Sequence, residues 1–94
     1  MLLTRFKIAG HSMSPTLSES DSVLVSSLPF LFAKPKIGDV VVFEKYNRMY
    51  VKRIEKIDNE KYFLVGDNKS DSFDSRRFGS VTQAQIKGKV IRKI

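Results

Sequence analysis

Apolar positions along the chain recur at a spacing of two far more often than at the spacing of a helical face. Val23-Leu24-Val25, Val40-Val41-Val42-Phe43, Tyr50-Val51-Lys52-Arg53-Ile54, Tyr62-Phe63-Leu64-Val65 and Ile86 to Ile91 are short runs rich in β-branched and aromatic residues. Turn formers stand between them: Lys36-Ile37-Gly38-Asp39, Tyr46-Asn47-Arg48, Ile57-Asp58-Asn59-Glu60 and Gly66-Asp67-Asn68. No segment presents an apolar helical face longer than about two turns, although Pro15-Thr16-Leu17 suits a first helical turn. The expected fold is mostly β, a small coiled antiparallel sheet or barrel-like domain. A single domain over residues 1–94 accounts for the length, with no repeat, low-complexity block or linker. Leu28-Pro29-Phe30-Leu31-Phe32 breaks the alternation. Two readings stay open for it. It is a loop or edge segment folded onto the core, or an exposed lip of Leu28, Phe30, Leu31 and Phe32 for a membrane surface or a peptide.

Composition narrows the chemistry. The 94 residues include no Cys, which excludes disulfides, thiolate metal sites and cysteine nucleophiles. One His cannot build a zinc site without several carboxylates, so no metal or cofactor is expected. No apolar stretch approaches the roughly 20 residues that span a bilayer, and no leader opens the chain. A cytoplasmic protein without a transmembrane segment is therefore expected, with peripheral membrane contact left open. Lys and Arg number 17 against 10 Asp and Glu, a net charge of +7. Apart from a late cluster at Lys87, Lys89, Arg92 and Lys93 these cations are scattered, so no nucleic-acid partner is expected.

Three segments could carry chemistry. In Gly10-His11-Ser12-Met13-Ser14-Pro15-Thr16-Leu17, Gly permits close backbone approach and Pro stiffens the chain just past a serine. Ser12 is then either a presented hydroxyl or a plain turn serine. A serine nucleophile needs a base. His11 is poorly placed for this, because neighbours on an extended chain point to opposite sides; a surface position suits it better. In Tyr50-Val51-Lys52-Arg53-Ile54, strand parity places Tyr50, Lys52 and Ile54 on one face and Arg53 on the other. Lys52 either snorkels out or is buried, and burial would lower its pKa and make it a usable base. The third segment, Gly66 to Gly79, mixes turn formers and hydroxyls with Phe73, Phe78, Asp74 and Arg76. That mixture reads as a packed loop held by an internal ion pair.

In this order the segments resemble the type I signal peptidase family, the Ser-Lys serine peptidases. Gly10 to Leu17 is similar to the family's nucleophile box, and Gly38-Asp39-Val40-Val41-Val42-Phe43 to its next strand. Val51-Lys52-Arg53-Ile54 is similar to its lysine box. Gly66-Asp67-Asn68 followed by Ser72-Phe73-Asp74-Ser75-Arg76 is similar to its last. The likeness runs from about Ile8 to Ile91 and implies a single S26/S24-like catalytic domain of coiled antiparallel β structure. It implies Ser12 as nucleophile and Lys52 as general base. It further implies that Ser72 hydrogen-bonds the lysine, that Asp74 and Arg76 pair to brace that loop, and that Asp67 and Ser75 support it. The oxyanion would be held by the Ser12 amide and by a hydroxyl two residues earlier. That position is Gly10 here, so a second donor must be a backbone amide or water. The family's membrane anchor and its insertion between the lysine strand and Gly66 are not seen. The trimmed form is most similar to the nickel-type superoxide dismutase maturation proteases. The resemblance implies a substrate that is a precursor protein or peptide with small residues before the cleaved bond. A non-catalytic peptide- or membrane-surface-binding module keeping the fold is the rival reading.

Overall fold

The computed structural model describes residues 2–94; Met1 lies outside the described residues. Seven strands form one sheet: β1 (Thr4–Lys7), β2 (Ser22–Ser26), β3 (Val40–Lys45), β4 (Arg48–Asp58), β5 (Lys61–Val65), β6 (Val81–Thr82) and β7 (Ile86–Lys93). Their spatial order is β1-β2-β7-β3-β4-β5-β6, with every neighbouring pair antiparallel. The sheet does not close into a barrel, which corrects the barrel-like alternative. Closure needs a ladder between the first and last strands, and β6 at one edge is only two residues long. Helical structure is limited to one turn, α1 (Ser75–Phe78), and 3-10 turns at Leu28–Leu31, Lys69–Asp71 and Gln83–Gln85.

Tight turns set the register. Tyr46 and Asn47 both have positive φ (53° and 63°), as do Asn59 and Glu60 (51° and 63°). Two such residues make the I′ hairpin turn whose twist matches the strands, so Lys45 faces Arg48 and Asp58 faces Lys61. The segment at Pro15 makes no helix. It is a series of turns with a single helical bond, the Leu17 amide donating to the Met13 carbonyl at 2.9 Å.

β3 is buried on both faces, which accounts for its unbroken Val-Val-Val-Phe run. Val41 and Phe43 join Ile54, Tyr62, Leu64, Val81 and Ile86 in one apolar cluster. Val42 points the other way and joins Ile8, Met13, Leu17, Val23 and Val25 in a second. Met13, which follows Ser12 in the chain, and Leu17, just beyond Pro15, are thus core residues that anchor their loop.

Leu28–Leu31 divides between its two readings. Phe30 turns in against the first cluster, so it does not belong to an exposed lip. Leu28, Leu31 and Phe32 remain exposed, Phe32 at 88%. Leu28 and Phe32 line an open apolar groove with Leu2, Leu3 and Ile91. No helix among the described residues is long and apolar enough to cross a membrane.

Candidate active site

A cleft of about 140 Å³ is lined on one side by Phe6, Lys7, Ile8 and Ala9 and on the other by Met49, Tyr50, Val51 and Lys52, with Ser12 and Met13 between them. Consecutive rather than alternate residues line both sides, which is how a strand edge presents itself. The pairing agrees. Among the described residues β1 pairs only with β2, and β4 pairs with β3 over Arg48–Arg53 but with β5 only from Arg53. Two unpaired backbone edges therefore border the cleft.

Lys52 reaches the cleft from β4, with Tyr50 and Ile54 on its own face as strand parity requires. It is 5% exposed, so it does not snorkel. Its Nζ lies 2.8 Å from Ser12 Oγ and 5.7 Å from the centroid of the Tyr50 ring. That ring belongs to an aromatic group: Phe43 stacks on it at 5.5 Å, and Phe78 and Phe73 tilt against it at 5.9 and 6.4 Å. Burial pulls the Lys52 pKa below the ordinary lysine value, and the negative charge of Asp74 opposes the shift in part. A neutral amine at hydrogen-bond distance from a hydroxyl can accept its proton. His11 has the surface position expected of it; its Nε2 lies 3.6 Å from Glu19 Oε2, and both side chains are exposed.

Asp74 organises the loop behind the lysine. It is fully buried, and its carboxylate accepts five hydrogen bonds: from Ser72 Oγ (2.6 Å), the Gly66 amide (3.0 Å), the Arg76 amide (3.1 Å), Arg76 Nε (2.9 Å) and Arg76 Nη2 (3.0 Å). Burial alone would raise its pKa; the hydrogen bonds from Arg76, Ser72 and Gly66 outweigh that and lower it to about 2. Arg76 also donates to the Lys69 carbonyl at 2.7 Å. Ser75 is buried and accepts the Leu64 amide at 2.8 Å, fastening α1 to β5. The Ser72 hydroxyl donates to Asp74 and not to Lys52, contrary to the expectation. An ionised carboxylate two residues away is the stronger acceptor for that one proton.

Asp67 also differs from expectation. It does not brace the 72–76 loop. It accepts Arg53 Nε and Nη2 at 2.8 and 2.9 Å and Thr16 Oγ1 at 2.6 Å. The loop that carries Ser12 is thereby tied to the outward face of β4, one residue from Lys52. The Arg53 bonds lead in lowering the Asp67 pKa; burial opposes them and Thr16 assists. Arg53 further donates to the Gly38 carbonyl at 2.8 Å. The next residue, Asn68, grips the same loop: its amide donates to the Ser12 carbonyl at 2.8 Å and its Nδ2 to the His11 carbonyl at 3.1 Å. Gly66 completes the contact. A Cβ there would stand within contact distance of Ser72 Oγ and 2.5 Å from the Ser12 carbonyl oxygen. Thr16, Arg53 and Asn68 were not singled out from sequence by role; the Gly-Asp-Asn turn was the one visible signal of this clamp.

Gly10 adopts φ 81° with open space around it, so backbone conformation rather than crowding calls for glycine, and it offers no hydroxyl. Among the described residues no group of three or more His, Asp or Glu side chains is placed to hold a metal ion.

Comparison with known proteins shows the family. The Peptidase S24-like family model matches residues 3–91. The chain is similar to Signal peptidase I of Leptolyngbya laminosa, 22% identical over an alignment of 131 residues that covers 89% of this chain and 64% of the relative. It is similar to Signal peptidase I of Bacillus amyloliquefaciens, 25% identical over 135 residues, 93% of this chain and 73% of the relative. It is also similar to Inactive signal peptidase IA of Staphylococcus aureus (strain Mu50), 32% identical over 59 residues, 57% of this chain and 34% of the relative. The chain thus spans just under two thirds of the Leptolyngbya protein and about a third of the Staphylococcus one.

Proposed function

The chain belongs to the Peptidase S24-like family and is of the type I signal peptidase kind, and from that premise we propose that it is a serine endopeptidase in which Ser12 is the nucleophile and Lys52 the general base. The carrying observation is the 2.8 Å approach of a buried lysine amine to a serine hydroxyl, beside a cleft bordered by two unpaired strand edges.

An extended peptide adds to those edges through main-chain hydrogen bonds. A cleft of about 140 Å³ suits small side chains before the cleaved bond. Neutral Lys52 accepts the Ser12 proton as Oγ attacks the carbonyl carbon. The carbonyl electrons move to oxygen, which the Ser12 amide stabilises. Collapse breaks the C–N bond, and the departing amine takes the proton from Lys52. Water then attacks the acyl ester, Lys52 accepts its proton and returns it to Ser12 Oγ, and the acid product leaves. Asp74, Arg76 and Ser75 hold the loop behind Lys52, Ser72 fixes the orientation of Asp74, and Asp67 holds the nucleophile loop. The substrate is a signal peptide or propeptide junction of a precursor protein; the nickel superoxide dismutase propeptide is one such junction.

Mass spectrometry of a peptide library containing both kinds of junction tests the reading, with intact protein and Ser12→Ala in parallel. Cleavage by the intact protein alone is expected, and the cut junctions identify the substrate class. Absence of cleavage overturns it. The inactive Staphylococcus relative favours a second reading, a binding module that keeps the fold. In that case Ser12→Ala would bind peptides as the intact protein does.

The apolar groove of Leu2, Leu3, Leu28, Phe32 and Ile91 is assigned to peripheral contact with an anionic bilayer. The chain carries +7. Arg5 and Arg92 flank Leu24 across neighbouring strands next to the groove, and neither makes an ion pair among the described residues.

A further inference from the structure

We propose that Asn68 is a positioning residue that aims and polarises the Ser12 amide at the developing oxyanion. The inference rests on the peptidase reading and deepens it. The carbonyl of His11 and the N–H of Ser12 belong to one planar trans peptide unit and point in opposite directions. Whatever holds the carbonyl end therefore sets the direction of the amide end. Asn68 Nδ2 donates to the His11 carbonyl at 3.1 Å, and the Ser14 amide donates to the same oxygen at 3.1 Å. The Asn68 backbone amide donates to the Ser12 carbonyl at 2.8 Å. One residue thus secures the peptide planes on both sides of the nucleophile.

Asn68 is itself held. Its Oδ1 accepts Ser70 Oγ at 3.1 Å, which leaves Nδ2 as the donor, and its carbonyl accepts the Asp71 amide at 3.0 Å. A donor on a carbonyl also polarises the whole peptide unit and strengthens the N–H at its other end. This matters more here because Gly10 offers no hydroxyl as a second donor, which puts more weight on the Ser12 amide of the proposed oxyanion site.

The test compares the intact protein with Asn68→Ala and the near-isosteric Asn68→Asp, which keeps the backbone donor and loses the side-chain one. Loss of a whole oxyanion donor costs about 10²- to 10³-fold in kcat. A misaimed donor is expected to cost roughly 10- to 100-fold in kcat in both variants, with KM changed less than about threefold. Affinity for a peptide boronate, whose tetrahedral oxygen occupies the oxyanion position, should fall with kcat, while affinity for an uncleavable peptide should not. In proton–nitrogen spectra of the resting protein, the Ser12 amide proton should move upfield in Asn68→Ala while the core amides of β3 stay in place. Cleavage by the intact protein with kcat unchanged in both variants overturns the inference and leaves the peptidase reading standing. Failure of the intact protein to cleave any peptide overturns the peptidase reading, and a Ser12 amide unmoved in the variant then overturns this one as well.

Discussion

A single lysine sets the pH behaviour of the proposed reaction. Lys52 is buried beside the Tyr50 ring, and burial disfavours its ammonium form. Activity should therefore fall as pH drops through its lowered pKa, and a rate flat from about pH 5 to 9 would sink the lysine base. Lys52→Arg keeps a cation that cannot deprotonate near neutrality; peptide turnover should fall at least about 10³-fold while circular dichroism stays native. Asp74 titrates with the opposite consequence. Its folded pKa of about 2 lies below the ordinary 3.8, so it stabilises the fold above pH 4, and that contribution is lost as pH falls from about 4 to 2. The loss is roughly 2 kcal/mol. Urea midpoints across that range should show it, and Asp74→Asn should start lower and lack the slope. Strand parity placed Lys52 on a face with Tyr50 and Ile54 but left its burial open until the likeness of the four boxes decided for it, and the mix of Asp74 and Arg76 in one loop suggested their ion pair. The partner of Ser72 was not legible in the sequence, because it depends on which acceptors the folded loop brings within reach, and the ionised Asp74 carboxylate is the stronger one.

Elements matter through how closely they approach. The Gly66-Asp67-Asn68 turn lies against the Ser12 loop with no room for a methyl group at residue 66. Gly66→Ala should cut turnover at least tenfold and cost about 1–3 kcal/mol, the usual penalty of overpacking, read from activity and thermal melts together. Gly10→Ala meets only open space, so its cost should be confined to the strain of a left-handed residue, about 1–2 kcal/mol. Equal losses of turnover in the two variants would count against the clamp. Five of the seven strands announced themselves through runs of β-branched and aromatic residues. β1 and β6 did not: Thr4-Arg5-Phe6-Lys7 has one aromatic among polar neighbours, and β6 is two residues long. Asp67 was placed with its sequence neighbours, whereas its Thr16 partner stands 51 residues away. Such a bond depends on the fold and has no local signature.

Over the whole molecule, an open sheet leaves surfaces that a barrel would have consumed. The apolar groove beside Arg5 and Arg92 is one. Sedimentation with phosphatidylglycerol vesicles should carry the protein down at low salt and progressively less as salt rises, since charge attraction is screened. Arg5→Gln with Arg92→Gln should weaken binding roughly 30-fold, about 1 kcal/mol for each charge. Equal binding to neutral phosphatidylcholine, or binding indifferent to salt, would remove the anionic-surface assignment.

The divided partnership of β4 will also govern how deuterium enters the protein. At Arg53 and Ile54 the strand is hydrogen-bonded on both sides, to β3 or the turn before it and to β5, so its amides there should exchange slowly. Across residues 49 to 52, amides directed toward β3 should be protected, and those directed toward the vacant edge should exchange with solvent. A peptide seated on that edge converts the fast set to slow without touching its neighbours. The strand thus carries a built-in footprint of occupancy, legible at single-amide resolution even in Ser12→Ala, where nothing is cut.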